Sequence, residues 1–122
     1  MAEWTPISLE RLYDLILETE KDLSGDLLKF WELIKIDPEK WEEGKYSKEG
    51  GGFWVVALIG KRIIWYNDIE DGFNISDYIQ YGEFSDYWCN QDTLRSAIQD
   101  LFDLIKFGGN IIGHAGPPQP LI

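Results

Sequence analysis

A chain of 122 residues is one ordinary domain, and its 44% hydrophobic and 15% aromatic side chains supply enough apolar area to offset the entropy of ordering. That composition excludes a disordered chain. The net charge of −11 repels phosphate backbones and argues against direct nucleic-acid binding, and no apolar run approaches the roughly 20 residues that cross a bilayer.

The first element is a helix in "SLERLYDLILETEKDL", where Leu9, Leu12, Tyr13, Ile16 and Leu17 recur at helical spacing. Thr5 and Ser8 are its candidate caps. "LSGD" interrupts the pattern. A second amphipathic segment, with Leu27, Leu28, Phe30, Trp31 and Ile34, then runs until Asp37-Pro38 stops it, because a residue before proline resists helical angles. "DPEKWEE" reads as a short extra turn with Trp41 facing inward, and "GKYSKEGGG" as a linker.

From Gly52 the period changes. "GFWVVALIG" and "RIIWYN" are β-branched and aromatic, and Gly60-Lys61 between them suits a two-residue hairpin. A regular register would set Ile59 opposite Arg62 and Val56 opposite Trp65. One face would then carry Trp54, Val56, Leu58, Ile63 and Trp65, and the other Phe53, Val55, Ala57, Ile59, Arg62, Ile64 and Tyr66. Both faces are apolar, so the hairpin is central, with one face on helices and the other covered from outside the domain. "FNISDYIQY" alternates as a half-exposed third strand would, with a bulge or bend at Asp77, and "GEFSDYWCN" suits a short fourth strand or an irregular lead-in to the last helix. Asn90 is the predicted cap of a last helix whose stripe is Leu94, Ala97, Ile98, Leu101, Phe102 and Ile105, ended by Gly108-Gly109. The class is α+β: two N-terminal helices, an antiparallel meander of three or four strands, and one C-terminal helix packed on the sheet. Residues 1–109 form the single domain, and 110–122 a Gly/Pro-rich tail.

The chemistry-bearing residues are few. Cys89 and His114 are the only members of their types, so there is no disulfide and no zinc set. Cys89, between Trp88 and a helix cap, suits a buried inert thiol, and a lone thiol suits a reducing compartment. "MAEWTPISLER" has neither a basic start nor an apolar core of a leader, so the expectation is a soluble cytoplasmic protein. The loop in "IIWYNDIEDGF" fails as a calcium site: with Gly72 at the sixth position, Ile69 and Tyr78 fall where carboxylates are needed. It reads as a hairpin connection in which Gly72 takes the unusual backbone angle and the acids are solvated. No catalytic set, cofactor site or metal site is expected.

Two stretches resemble known proteins. "GGGFWVVALIGKRIIWYNDIEDGFNIS", followed by "YGEFSDYWCNQDTL", resembles a small family of uncharacterised bacterial proteins of cyanobacterial type, a resemblance that implies no activity. "ETEKDLSGDLLKFWELI", then a meander and a closing helix, is more distantly similar to the SMI1/KNR4-like (SUKH) domains. Those are α+β modules, many of which are immunity proteins that bind and neutralise toxins. Glu20 and Leu23 match the pattern, whereas Ser24 stands in place of its proline and "IDPEKW" in place of its Asn-Gly, so no functional residue is carried over.

The leading expectation is a non-enzymatic protein-interaction module, of inhibitor or immunity type, with a basic protein partner and no direct contact with nucleic acid or membrane. A homodimer through the second sheet face is a further expectation. The candidate recognition surface is Trp65, Tyr66, Asp68, Glu70 and Asp71, with the aromatics as anchors and the acids steering the encounter. The alternative is a small carbohydrate-binding domain or small enzyme built on the same residues. A carboxylate of raised pKa in a pocket would favour the enzyme, and a coplanar pair of exposed rings the sugar binder.

Overall fold

The computed structural model describes residues 5–47 and 51–108. The expected tail over 110–122, with His114, lies outside the described residues. The fold is α+β: three helices cover one face of a five-stranded, mainly antiparallel sheet.

Ser8 caps α1 (Leu9–Asp22), its hydroxyl accepting the Arg11 N–H at 3.1 Å. Leu12 and Ile16 turn inward, and Phe30, Trp31 and Ile34 do the same from α2 (Gly25–Ile34). Glu20 ties these elements together, accepting Trp31 Nε1–H at 2.7 Å and Lys35 Nζ at 3.0 Å. Burial pushes its carboxyl upward, but the two hydrogen bonds and the Lys35 charge outweigh it and leave the group below its ordinary value.

The predicted extra turn at "DPEKWEE" is a strand instead. β1 (Lys35–Glu43) pairs antiparallel with β2 (Phe53–Ile59), from Lys35 opposite Ala57 to Trp41 opposite Phe53. The ladder slips between Lys35 and Glu39, and Pro38, which has no N–H to give, sits in that slip. Pairing with a strand some fifteen residues away overrides the local helical signal of Asp-Pro.

β2 and β3 (Arg62–Asn67) form the predicted hairpin, with Ile59 opposite Arg62 and Gly60 at a φ of 58°. Val56 does not oppose Trp65, however. Val55 does, and Ala57 faces Ile64, so Val56 is the extra residue of a bulge. A period-2 pattern changes parity at such a point. Trp54, Val56, Ala57, Ile64 and Tyr66 consequently face the helices, and Phe53, Val55, Leu58, Ile63 and Trp65 the other way.

β4 (Gly72–Asp77) continues the meander, and the strand order is β4-β3-β2-β1-β5, with β5 (Glu83–Phe84) parallel to β1. The third strand is shorter than predicted and is not half-exposed. It ends at Asp77, leaving Ile79 fully exposed, and its polar side chains Asn74 and Ser76 are 1% exposed. They are buried because the connection from β5 to the last helix lies over them. Asn74 Nδ2 donates to Asn90 O at 3.0 Å, and Asn74 Oδ1 accepts the Asn90 N–H at 2.8 Å. Ser76 Oγ accepts Trp65 Nε1–H at 2.8 Å and donates to Asp86 O. Asn67 Nδ2 reaches both Tyr87 Oη and Trp88 O at 3.0 Å.

That connection brings Phe84 and Tyr87 onto Phe53 and Trp65, and Trp41 completes this second core. The second face is therefore covered from within the chain, not from outside it, which removes the motive for a homodimer there. α3 (Leu94–Phe107) is capped by Thr93, whose hydroxyl accepts the Ser96 N–H at 3.1 Å. Asn90, the predicted cap, is already engaged by Asn74. Leu94, Ala97, Ile98 and Leu101 are buried as the stripe predicts, Phe102 is half-buried, Ile105 is largely exposed, and Gly108 ends the helix at a φ of 78°.

Trp65 is wholly buried between Phe53, Phe84 and Tyr87, whereas Trp54 is half-buried. Trp65→Ala should cost about 3–5 kcal/mol and Trp54→Ala distinctly less. Urea denaturation of both variants checks this; a loss under about 1 kcal/mol for Trp65 would contradict the second core.

Candidate functional site

The loop after β3 turns tightly because Asn67 Oδ1 accepts the N–H groups of Ile69 and Glu70, at 3.0 and 3.3 Å. Asp71, not Gly72, carries the left-handed backbone, at a φ of 55°. Gly72 is required for a different reason: a Cβ there would lie 2.7 Å from Asn90 O and closer still to Gln91.

The structure breaks up the predicted recognition surface. Trp65 is fully buried in the second core and Tyr66 is 7% exposed on the helix side, so consecutive residues point to opposite faces and neither can anchor a partner. Asp68 is not solvated. It is 6% exposed, and Oδ2 accepts the Ile7 N–H at 2.6 Å while Oδ1 has no hydrogen-bond partner. Only Glu70, half-buried, and Asp71, exposed, remain near the surface.

Burial pushes the Asp68 carboxyl above its ordinary value, and Asp71 adds to this; hydrogen bonding from the backbone N–H groups of Ile7 and of Asp68 itself and the charge of Lys40 work against it. Tyr66 Oη donates to Asp71 Oδ1 at 3.3 Å, and burial together with the Asp71 charge pushes the phenol up to about 12. Tyr66, Asp68 and Asp71 share the wall of a cleft of about 870 Å³ with Thr5–Ser8, one side of α1 from Arg11 to Asp22, and the first turn of α3. Arg11 and Arg95 stand in the same cleft.

A second cleft, of about 710 Å³, opens where β1, β5 and the chain after β4 meet. Its acids are Glu42, Glu43, Asp77, Glu83 and Asp86, and its apolar surface comes from Tyr78, Ile79 and Phe84; among the described residues no lysine or arginine lines it. Glu43 is structural: buried, its Oε1 accepts the N–H groups of Lys45, Tyr46 and Ser47. Glu42 and Glu83 are exposed, and Ile79 is 100% exposed. Nearby, Tyr81 leans on buried Trp41 at 4.7 Å and donates to Glu39. Sequence reasoning placed Ile79 and Tyr81 on a strand and missed this cleft. A signal was present: between Arg62 and Arg95 the chain carries seven acids and no lysine or arginine.

Burial pushes the Cys89 thiol upward against a hydrogen bond with Tyr87, the opposite of an activated nucleophile. Among the described residues no group of three or more His, Cys, Asp or Glu is disposed to hold a metal ion, and no helix is long and apolar enough to cross a membrane. The site thus belongs to an α+β domain with two acidic clefts. Compared with protein families, curated proteins and solved structures, the chain matches none.

A group whose folded pKa is raised holds its proton more tightly in the native state. The stability from Asp68 is therefore fully present below its unfolded value of about 3.9 and is lost as pH rises through the folded value. Glu20, lowered, acts oppositely: its contribution is present above its unfolded value and lost as pH falls through the folded one. Asp68→Asn keeps an acceptor for Ile7 and removes the titration, so relative to wild type it should gain stability over the range above about pH 4. Denaturation midpoints across that range check the difference; a difference independent of pH would contradict it.

Proposed function

We propose that the protein is a non-enzymatic interaction module of inhibitor or immunity type, acting in the cytoplasm on a basic protein partner. The observation that carries this reading is the second cleft, where exposed Ile79 stands among carboxylates with no described cation lining the surface. An apolar side chain in the open among charges mainly of one sign, with Asp77 paired to Arg62 at 3.1 Å, suits an interface centre with a steering rim. The order of helices, meander and closing helix is the feature on which the SUKH resemblance rests. Association with a basic partner also gives the net charge of −11 a use beyond solubility.

The enzyme reading draws support from Asp68 alone, a buried carboxyl of raised pKa in a cleft. Its Oδ1 has no hydrogen-bond partner, so no second side chain is joined to it as an acid–base or nucleophile pair. The sugar-binding reading needs a flat pair of exposed rings, and Tyr81 instead stands tilted by 55° against buried Trp41. The homodimer loses its support with the second face closed.

The test is kinetic, on a partner isolated by affinity capture and then purified. Ile79→Ala should speed dissociation about tenfold, the scale of one interface contact of ~1.4 kcal/mol. Glu42→Gln with Glu83→Gln should slow association at low salt and lose that effect at high salt. Both variants should keep wild-type stability, since the side chains are exposed. Unchanged rates in both would remove the second cleft as the binding surface.

A further inference from the structure

We infer that the first cleft is a binding site for a guanidinium group, held by the carboxylate of Asp68. Asp68 is 6% exposed and uses one oxygen, Oδ2, on the Ile7 N–H at 2.6 Å, while Oδ1 has no partner at all. A buried carboxylate oxygen without a donor is costly, because the group has lost its water and gained nothing in return. What it lacks is a donor, and a cationic one satisfies both its charge and its lone pairs. The first turns of α1 and α3, which also border the cleft, would by themselves favour an anion. The unfilled acceptor reverses that preference. Asp71, Asp92, Glu18 and Asp22 in the wall outnumber Arg11 and Arg95, and Arg11 already leans toward Glu18 at 3.9 Å.

The geometry selects a guanidinium over an ammonium. Its planar fork offers two parallel N–H groups to the two oxygens of one carboxylate, where an ammonium presents a point charge. Access comes through the segment Thr5–Ile7, which precedes the capped start of α1 and belongs to no helix or strand. One hydrogen bond, from Ile7, holds Oδ2 there. An entering guanidinium takes Oδ2 from Ile7, turns Oδ1 to itself, and exchanges one neutral donor for two charged ones. The group comes either from a free guanidino compound or from an arginine side chain of a peptide. The site is separate from the second cleft and stands or falls independently of it.

Amide-resolved NMR of the whole protein, titrated with methylguanidinium chloride and separately with N-acetyl-arginine amide, tests the site. The Ile7 amide should shift and saturate, because it loses its carboxylate acceptor. Tetramethylammonium chloride at equal concentration, a cation with no donor, should leave it in place. Asp68→Asn should weaken binding by about tenfold or more, the loss of a charge-assisted hydrogen bond, while its dispersed spectrum reports a folded protein. Saturation by methylguanidinium supports the site with a free compound as sufficient ligand, and saturation by the capped arginine alone supports it with a side chain as ligand. An Ile7 amide that does not move with either, or that moves equally with tetramethylammonium or in the folded Asn variant, overturns the inference. Ile79→Ala should bind methylguanidinium like wild type, which keeps this outcome distinct from that of the docking surface.

Discussion

Asn67, Asn74 and Ser76 hold the connection from β5 to α3 against the second face of the sheet, and much else in the structure depends on that fastening. Each is at most 1% exposed, and each reaches backbone or a hydroxyl on the connection. A buried polar side chain left unpaired costs about 1–3 kcal/mol, so three of them define where the connection can lie. Once it lies there, Phe84 and Tyr87 close over Phe53 and Trp65, and a sheet apolar on both faces is satisfied within one chain. The same path carries the backbone of Gln91 against Gly72, leaving no room for a side chain there. Both clefts are by-products of this path. One forms where the connection leaves β5, the other where it enters α3.

The helix side is organised differently. Its contacts are mainly apolar, from Leu12, Trp31, Ile34, Ile98 and Leu101 onto Ala57, Ile64 and Ile75, and Glu20 adds a charged tie between α1, Trp31 and Lys35. Apolar contacts are non-directional and tolerate local adjustment. The polar ties of the second face do not. The domain therefore has one layer defined by area and another defined by hydrogen-bond geometry.

These differences explain what was legible in the sequence. α1 and α3 could be read because their stripes repeat within the segment, and the hairpin because Gly60-Lys61 marks its turn. β1 could not, since "DPEKWEE" carries a local helix-start signal and its strand character exists only against β2. The cap of α3 was misplaced by three residues because Asn90 and Thr93 are both good caps, and only the tertiary tie to Asn74 removes the first. Asn74 and Ser76 were read as solvent-facing because alternation reports polarity, not exposure. The candidate surface failed at Trp65, Tyr66 and Asp68 for a related reason. Nearness to a loop in sequence does not make a residue near the surface, because the turn made by Asn67 folds Asp68 under the N-terminal segment.

The bulge at Val56 also bears on how the chain can change length. In most strands, removing one residue turns every side chain beyond it inside out. β2 contains one position where that rule is suspended. Without Val56, Val55 opposite Trp65 and Ala57 opposite Ile64 would become neighbours in a regular ladder, with each remaining side chain on its present face. The β1–β2 pairing also breaks between Val55 and Ala57, so both ladders already yield at that point. A shortened relative is thus conceivable with a gap at residue 56, where the loss would be one buried valine and the local bend. Elsewhere in β2 the same gap would exchange two cores.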